Sequence, residues 1–239
     1  MIGILPFFTL MIKNTYLKFI IIINKYILLS EKSWHINLFN KLKKKFKKVN
    51  WIHIDNKHDF NKEYIYELNP DKIFIPHWSY IIDESIYNKF DCILFHMTDL
   101  PYGRGGSPLQ NLIILDKKST KISAIRVESG IDSGDIYLKN DLDLSGNAKD
   151  IFIRSSGIIF NMISEILNKD LTPTPQNGKI TLFKRRKPEQ SSIKDLTSLS
   201  DVYNYIRMLD CEGYPKAFIK TQNMKLEFSN AKLDANNNL

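Results

Sequence analysis

The stretch CILFHMTDLPYGRGGSPLQNLI, residues 92–113, decides how this chain is organised. It opens with CILFH, a short apolar run of the kind that forms a buried strand. It closes with an apolar-periodic segment in which Ser107 suits a helix N-cap and Pro108 the first helical position. Between them Gly103, Gly105 and Gly106 form a loop whose backbone can approach a ligand closely. Strand, Gly-rich loop and helix in that order make one unit of an α/β sheet.

The same alternation extends towards the N-terminus. KYILLS (25–30) reads as the first strand, and SWHINLFNKLKKKFKKV (33–49) as a helix with an apolar stripe of Ile36, Phe39, Leu42 and Phe46. WIHI (51–54) and KIFIP (72–76) read as strands, separated by a polar helical stretch ending at Leu68, with a short helix near 83–89. Towards the C-terminus, TKISAIRVES and DIYLKNDLDL flank the turn GIDSG (130–134), and a long amphipathic helix covers about 148–167. TPTPQNG (172–178) is a Pro- and Gly-rich connector, followed by a helix near 195–209 and a hairpin, KAFIKT and KLEFSN. These elements predict a Rossmann-like α/β fold, with a mostly parallel sheet covered on both faces and a short C-terminal helix and β-hairpin. The expected organisation is an apolar N-terminal extension at 1–24, a core at 25–171 and a C-terminal appendage at 172–239.

Lys and Arg exceed Asp and Glu to give a formal charge of +8. Lysine and isoleucine are spread throughout, so the balance reads as compositional, and KLKKKFKK (41–48) as a solvated helix face rather than an RNA-binding strip. Cys92 and Cys211 stand alone, with no CxxC and no Cys/His ligand spacing, so a disulfide framework, a zinc site and other metal centres find no support. A cytoplasmic location is expected. The uncharged start, residues 1–12, falls short of the roughly 18 apolar residues a spanning helix needs, and Lys13, Asn14 and Lys18 interrupt the apolar run beyond it. It reads as a dispensable extension, with no membrane partner. Absence of G-x-S-x-G, Walker A and H-E-x-x-H removes serine hydrolase, P-loop and zincin chemistry.

His96 ends a strand and precedes the Gly-rich loop, where ligands collect in such sheets. A strand-end histidine is also a common structural residue. His77 lies just past another strand, while His35, His53 and His58 have weaker claims. Asp132 occupies a Gly-flanked turn, a place aspartate takes for turn chemistry alone, but beside a strand-end histidine its carboxylate could orient the ring.

Together, FHMTDLPYGRGGSPLQNLI (95–113) and IRVESGIDSGDIYLK (125–139) resemble the two signature regions of the folate-dependent formyltransferases. In that family a strand ends in Asn-x-His, a Pro-x-x-Arg-Gly loop comes next, and an Asp-x-Gly turn comes later. His96 matches the histidine, and Asp132-Ser133-Gly134 matches the turn. FKRRKPEQSSI (183–193) and YIRMLDCEGYPKAFI (205–219) resemble the tails of sugar N-formyltransferases, HMTDLPYGRGGSPLQNLI (96–113) resembles the branch acting on nucleotide-linked 4-amino sugars, including those of pseudaminic acid biosynthesis, and the likeness spans roughly residues 25–231.

The resemblance implies a formyltransferase using 10-formyltetrahydrofolate, with His96 and Asp132 as catalytic residues. It implies cofactor contacts from His77, Trp78, Ser79, Ile81 and Glu128. Thr98, Tyr102, Gly103, Arg104, Gly105, Gly106 and Ser107 would meet the acceptor, Arg104 and Ser107 reaching its phosphates. The acceptor it points to is a nucleotide-linked amino sugar of surface-polysaccharide biosynthesis, with no nucleic-acid partner; a homodimer is one option for the assembly. The alternatives are a methionyl-tRNA formyltransferase-like enzyme, against which the short tail speaks, and a degenerate folate- or RNA-binding protein. One position departs from the family: Leu94 stands where the amide of Asn would donate to the formyl oxygen. His77, Thr98 or the Gly-loop N–H groups are the candidates to replace it.

Overall fold

A six-stranded sheet forms the centre of the computed structural model, which describes residues 24–169 and 171–234. Apart from Asn24, the expected extension lies outside the described residues. In chain order the elements are β1 (Lys25–Ser30), α1 (His35–Lys45), β2 (Asn50–Ile54), α2 (Lys62–Leu68), β3 (Lys72–His77), α3 (Glu84–Tyr87), β4 (Asp91–His96), β5 (Arg104–Gly105) and α4 (Pro108–Ile114). Then come β6 (Ser119–Arg126), β7 (Ile136–Asp143), α5 (Ala148–Asn168), β8 (Leu182–Phe183), α6 (Leu199–Arg207), β9 (Ala217–Lys220) and β10 (Lys225–Phe228).

The strands of the central sheet lie in the order β2-β1-β3-β4-β6-β7. β1 pairs in parallel with β2 and β3, and β3 with β4. β6 is antiparallel to β4 and to β7, so it is the strand that reverses direction, and the sheet is mostly parallel as expected. Two apolar layers cover it. Along β1, Tyr26 and Leu28 join the cluster that includes Leu38 and Leu42 of α1 and Phe152 of α5. Ile27 and Leu29 join the opposite cluster, with Ile65 of α2 and Ile86 of α3. This alternation is the period of two that a strand imposes on its side chains.

Local signals set several boundaries. Asn147 and Asp150 form a reciprocal capping box at the start of α5, and Asn61 and Ser198 accept N–H groups at the starts of α2 and α6. Two expectations need correction. The buried face of α1 is His35, Leu38 and Leu42, while Ile36 is 51% exposed, because the neighbouring α5 covers a stripe turned away from Ile36. Ser107 precedes α4 as expected, but its side chain makes no cap; its backbone is left-handed, and its Oγ accepts the N–H of Arg186. β9 and β10 form the expected hairpin.

The stretch read as a connector runs back across the sheet end. Thr174 forms an isolated bridge with Ile136, and β8 pairs in parallel with β5. The Gly-rich loop is therefore held by chain that lies beyond α5 in sequence. Buried Arg207 ties α6 to the β7–α5 turn by donating to the carbonyls of Leu144 and Gly146. No helix among the described residues is long and apolar enough to cross a membrane.

Candidate active site

A cavity of about 1080 Å³ opens at the sheet end where β3 and β4 finish. Both His96 and Leu94 line it, with Phe95 and Met97, because the cavity takes in the whole end of β4. His96 is 7% exposed; its Nε2 lies 2.8 Å from the Gly103 carbonyl oxygen and its Nδ1 3.5 Å from Oδ2 of Asp132. Since both nitrogens face oxygen acceptors, the ring can donate to both only as the imidazolium.

Asp132 reaches this place by a fold-back. The β4–β6 register sets Arg126 opposite Ile93, before His96 on the strand, yet the turn after β6 returns far enough to bring Asp132 to the histidine. Gly134 permits it: a Cβ there would lie 1.8 Å from the Arg126 carbonyl oxygen. Asp132 is itself left-handed, at φ 48°, a conformation that Asp tolerates better than most residues. Its Oδ2 accepts the Gly105 N–H at 2.8 Å.

Of the expected cofactor contacts, His77, Trp78, Ser79, Ile81 and Glu128 all line the cavity. Trp78 presents a buried indole N–H with no partner, and Ile81 is 94% exposed at the rim. The aromatic and aliphatic faces of Trp78, Tyr80 and Ile81 along this wall fit a flat heteroaromatic ring such as a pterin. Burial, with Lys32 and then His96 nearby, pushes the His77 imidazole down to about 3. Its Nε2 lies 3.2 Å from the Tyr214 hydroxyl. His35, hydrogen-bonded to Ser30, is pushed well below the usual imidazole range, mainly by burial and then by His77, His53 and Lys32.

Of the expected acceptor contacts, Gly105, Gly106 and Ser107 line the cavity, and Thr98, Tyr102, Gly103 and Arg104 are not among its lining residues. Thr98 is fully buried and donates to the Gly103 carbonyl, while Tyr102 packs edge-on against Phe183. Arg104, expected to reach phosphates, donates instead to Gln176 through Nε and Nη2.

The candidates to replace the amide missing at Leu94 separate on these contacts. The Gly103 N–H goes to the Thr181 hydroxyl and the Arg104 N–H to the Thr181 carbonyl. The Gly105 N–H goes to Asp132 and the Gly106 N–H to the Phe183 carbonyl. Every loop donor is thus engaged, Thr98 is turned to Gly103, and His77 is the candidate left facing the cavity.

Sequence reasoning missed Lys32, Arg185, Arg186 and Tyr214, which also line the cavity, and Gln176 and Thr181, which brace it from behind. Arg185, Arg186 and Tyr214 lie in family-like segments whose place at the cavity the local pattern does not state, and nothing local marks Lys32, Gln176 or Thr181, because these roles arise from segments distant in sequence. Among the described residues no group of His, Cys, Asp and Glu is arranged to hold a metal ion.

The sequence model for the C-terminal domain of methionyl-tRNA formyltransferase matches residues 188–239. The structure of a methionyl-tRNA formyltransferase from Clostridium thermocellum is 52% identical, with a TM-score of 0.85, covering 89% of this chain and 94% of that one. Methionyl-tRNA formyltransferase of Clostridium botulinum is 28% identical over 174 residues, 69% of this chain but 56% of its own length. The chain thus spans little more than half of that curated relative. A sugar N-formyltransferase from Shewanella has a TM-score of 0.68 at 13% identity, a likeness of fold alone.

These findings overturn two expectations, the nucleotide-linked amino sugar as acceptor and the absence of a nucleic-acid partner. The 52%-identical structure and the curated relative both carry the methionyl-tRNA name, and the tail taken as too short for that class matches its C-terminal domain. The likeness of residues 183–219 to sugar-enzyme tails rested on short basic and aromatic segments, which in this fold form β8, a charged strap along the cavity and α6 leading into the hairpin.

Proposed function

This chain belongs to the methionyl-tRNA formyltransferase family, and on that premise we propose that it moves a formyl group from 10-formyltetrahydrofolate to the amino group of methionyl-tRNA. The observation that carries this reading is the His96–Asp132 pair, buried in the wall of a cavity large enough for two reactants. When bound, 10-formyltetrahydrofolate supplies the formyl carbon and the nitrogen from which that carbon departs, leaving as tetrahydrofolate. The amine nitrogen gains the new bond to carbon, the bond to the folate nitrogen breaks, and the proton released by the amine ends on that nitrogen.

In this reading His96 carries that proton. Its Nε2 is held at 2.8 Å by Gly103, whereas the 3.5 Å gap from Nδ1 to Asp132 exceeds ordinary N–H···O lengths, so Nδ1 is the freer nitrogen. In this reading Asp132 orients the ring while the carbonyl oxygen of the formyl group gains negative charge. His77, kept neutral by burial, is the ring donor we assign to that oxygen in place of the missing amide. Trp78, Ser79, Ile81 and Glu128 would hold the pterin on one side. Lys32, Arg185, Arg186 and Lys187 also line the cavity and suit the phosphates of an RNA terminus.

The charge pattern supports a polyanionic acceptor. Lys41, Lys43, Lys44, Lys45, Lys47 and Lys48 are all exposed, and none takes part in the ion pairs of the described residues. Six uncompensated charges on one surface attract RNA phosphates through counterion release. Incubating the purified chain with 10-formyltetrahydrofolate and methionyl-tRNA, and following formyl-methionine by mass, tests the proposal. Saturable transfer is expected; no transfer by folded protein at any tRNA concentration would sink it.

A further inference from the structure

We propose that Gln176 is a positioning residue that holds Asp132 against His96. The inference rests on the proposed formyl transfer for the reaction it serves. Asp132 has a left-handed backbone, which for a residue with a side chain needs support from outside the turn. Gln176 supplies it. Its Nε2 donates to the Asp132 carbonyl at 2.9 Å and to the Gly134 carbonyl at 2.8 Å, gripping the turn on both sides of Ser133.

The other end of the amide fixes which way it points. Gln176 Oε1 accepts from Arg104 Nε at 3.1 Å and from Nη2 at 2.8 Å. A guanidinium has donors only, so the amide oxygen must face Arg104 and the amide nitrogen must face the two carbonyls. Arg104 sits between Gly103, whose carbonyl faces His96 Nε2, and Gly105, whose N–H donates to Asp132 Oδ2. Gln176 therefore closes a ring of contacts from the Gly-rich loop through the turn and back. The Asp132 main chain is tied by Gln176 and its carboxylate by Gly105.

Gln176 is itself anchored. Two residues before it Thr174 bridges Ile136, and beyond it Thr181 accepts N–H groups from both Gly103 and Arg104. A side chain of this kind, touching neither reactant but setting a carboxylate beside a proton carrier, changes turnover rather than binding.

Gln176→Glu tests this directly, because it keeps an acceptor for Arg104 and removes both donors to the turn. Turnover with methionyl-tRNA should fall roughly 10- to 100-fold with little change in KM for either reactant, since displacement of a catalytic group by about 1 Å can cost about 100-fold. Combined with Asp132→Asn, it should lose little beyond Asp132→Asn alone, as residues acting through one unit are not additive. A general loss of stability would instead give additive losses, and that result, or near-normal turnover in folded Gln176→Glu, would overturn the proposal. Nitrogen NMR of the His96 ring in substrate-free protein gives a readout that needs no activity. In Gln176→Ala, whose side chain brings no charge of its own, the ring-nitrogen shifts should move towards those of Asp132→Asn, and shifts unchanged from the parent protein would refute the positioning role. If the parent protein formylates no methionyl-tRNA, the functional reading alone fails and the NMR comparison still decides this one. Should Gln176→Glu not fold, Gln176→Ala, which adds no charge, is read the same way.

Discussion

Nδ1 of His96 and Oδ2 of Asp132 stand 3.5 Å apart, although they come from a parallel strand and from a turn that begins at the far end of an antiparallel one. The gap is longer than a closed hydrogen bond, and the same carboxylate oxygen is held by Gly105. The pair is thus aligned but not locked, as suits the proton-carrying role proposed for His96.

His96→Asn should retain the fold and lower turnover by roughly 100-fold or more, since a positioned acid–base group contributes about 10² to 10⁴. Asp132→Asn should act similarly, and the double variant should lose little beyond the worse single one. Steady-state kinetics with methionyl-tRNA check this. Near-normal turnover in folded His96→Asn would move the chemistry elsewhere, with His77 the next residue to replace.

Gly134→Ala should displace the Asp132 turn. The added Cβ would fall 1.8 Å from a backbone carbonyl, a clash no rotamer change relieves. A lower urea midpoint together with diminished turnover is expected; unaltered stability and activity would show that the turn is looser than this geometry.

Stability should fall with acid in a window set by buried histidines. The unfolded chain binds a proton on His77 near pH 6.5, whereas the folded chain resists it down to about 3; His35 is shifted in the same direction. Protons therefore favour the unfolded state across that window, so this stability is fully present above pH 6.5 and is lost as pH falls through it, by at most about 1.4 kcal/mol per pH unit for each histidine. Urea unfolding at stepped pH measures the slope. His77→Phe, which fits among Trp34, Phe152 and Tyr214, should flatten it, and an identical slope would refute the assignment.

Replacing Lys43, Lys44 and Lys47 by Ala should weaken methionyl-tRNA binding and flatten its salt dependence, by about 0.7 to 0.9 in log–log slope for each phosphate no longer neutralised. Turnover at saturating tRNA should be little affected, because Lys43 and Lys44 at the end of α1 and Lys47 just beyond it are not among the residues lining the cavity. An unchanged slope would show that the strip is a solvated face, as its sequence alone suggested.

Much of the architecture was legible in the sequence because it is local. Apolar runs of strand length at 25–30, 72–76 and 92–96, periodic helices between them and Gly-marked turns each state their own structure, and their alternation implies a mostly parallel sheet. His96 and Asp132 could be singled out for a related reason: each sits at the end of an element, beside glycines, in a recognisable short motif. The face that α1 buries was misjudged at Ile36, since a stripe of apolar residues shows that a face exists while the packing partner selects it.

What the tertiary structure alone decided is how distant segments converge. The strand order, the return of the 127–135 turn to His96, and the engagement of every Gly-loop N–H depend on residues far apart in the chain. Gln176 shows why. In sequence it is one polar residue in a Pro- and Gly-rich stretch, with nothing to separate it from solvent-facing linker. In the fold its amide joins Arg104 to the Asp132 turn, because hydrogen bonds depend on direction and distance in space, which a connector's composition does not encode.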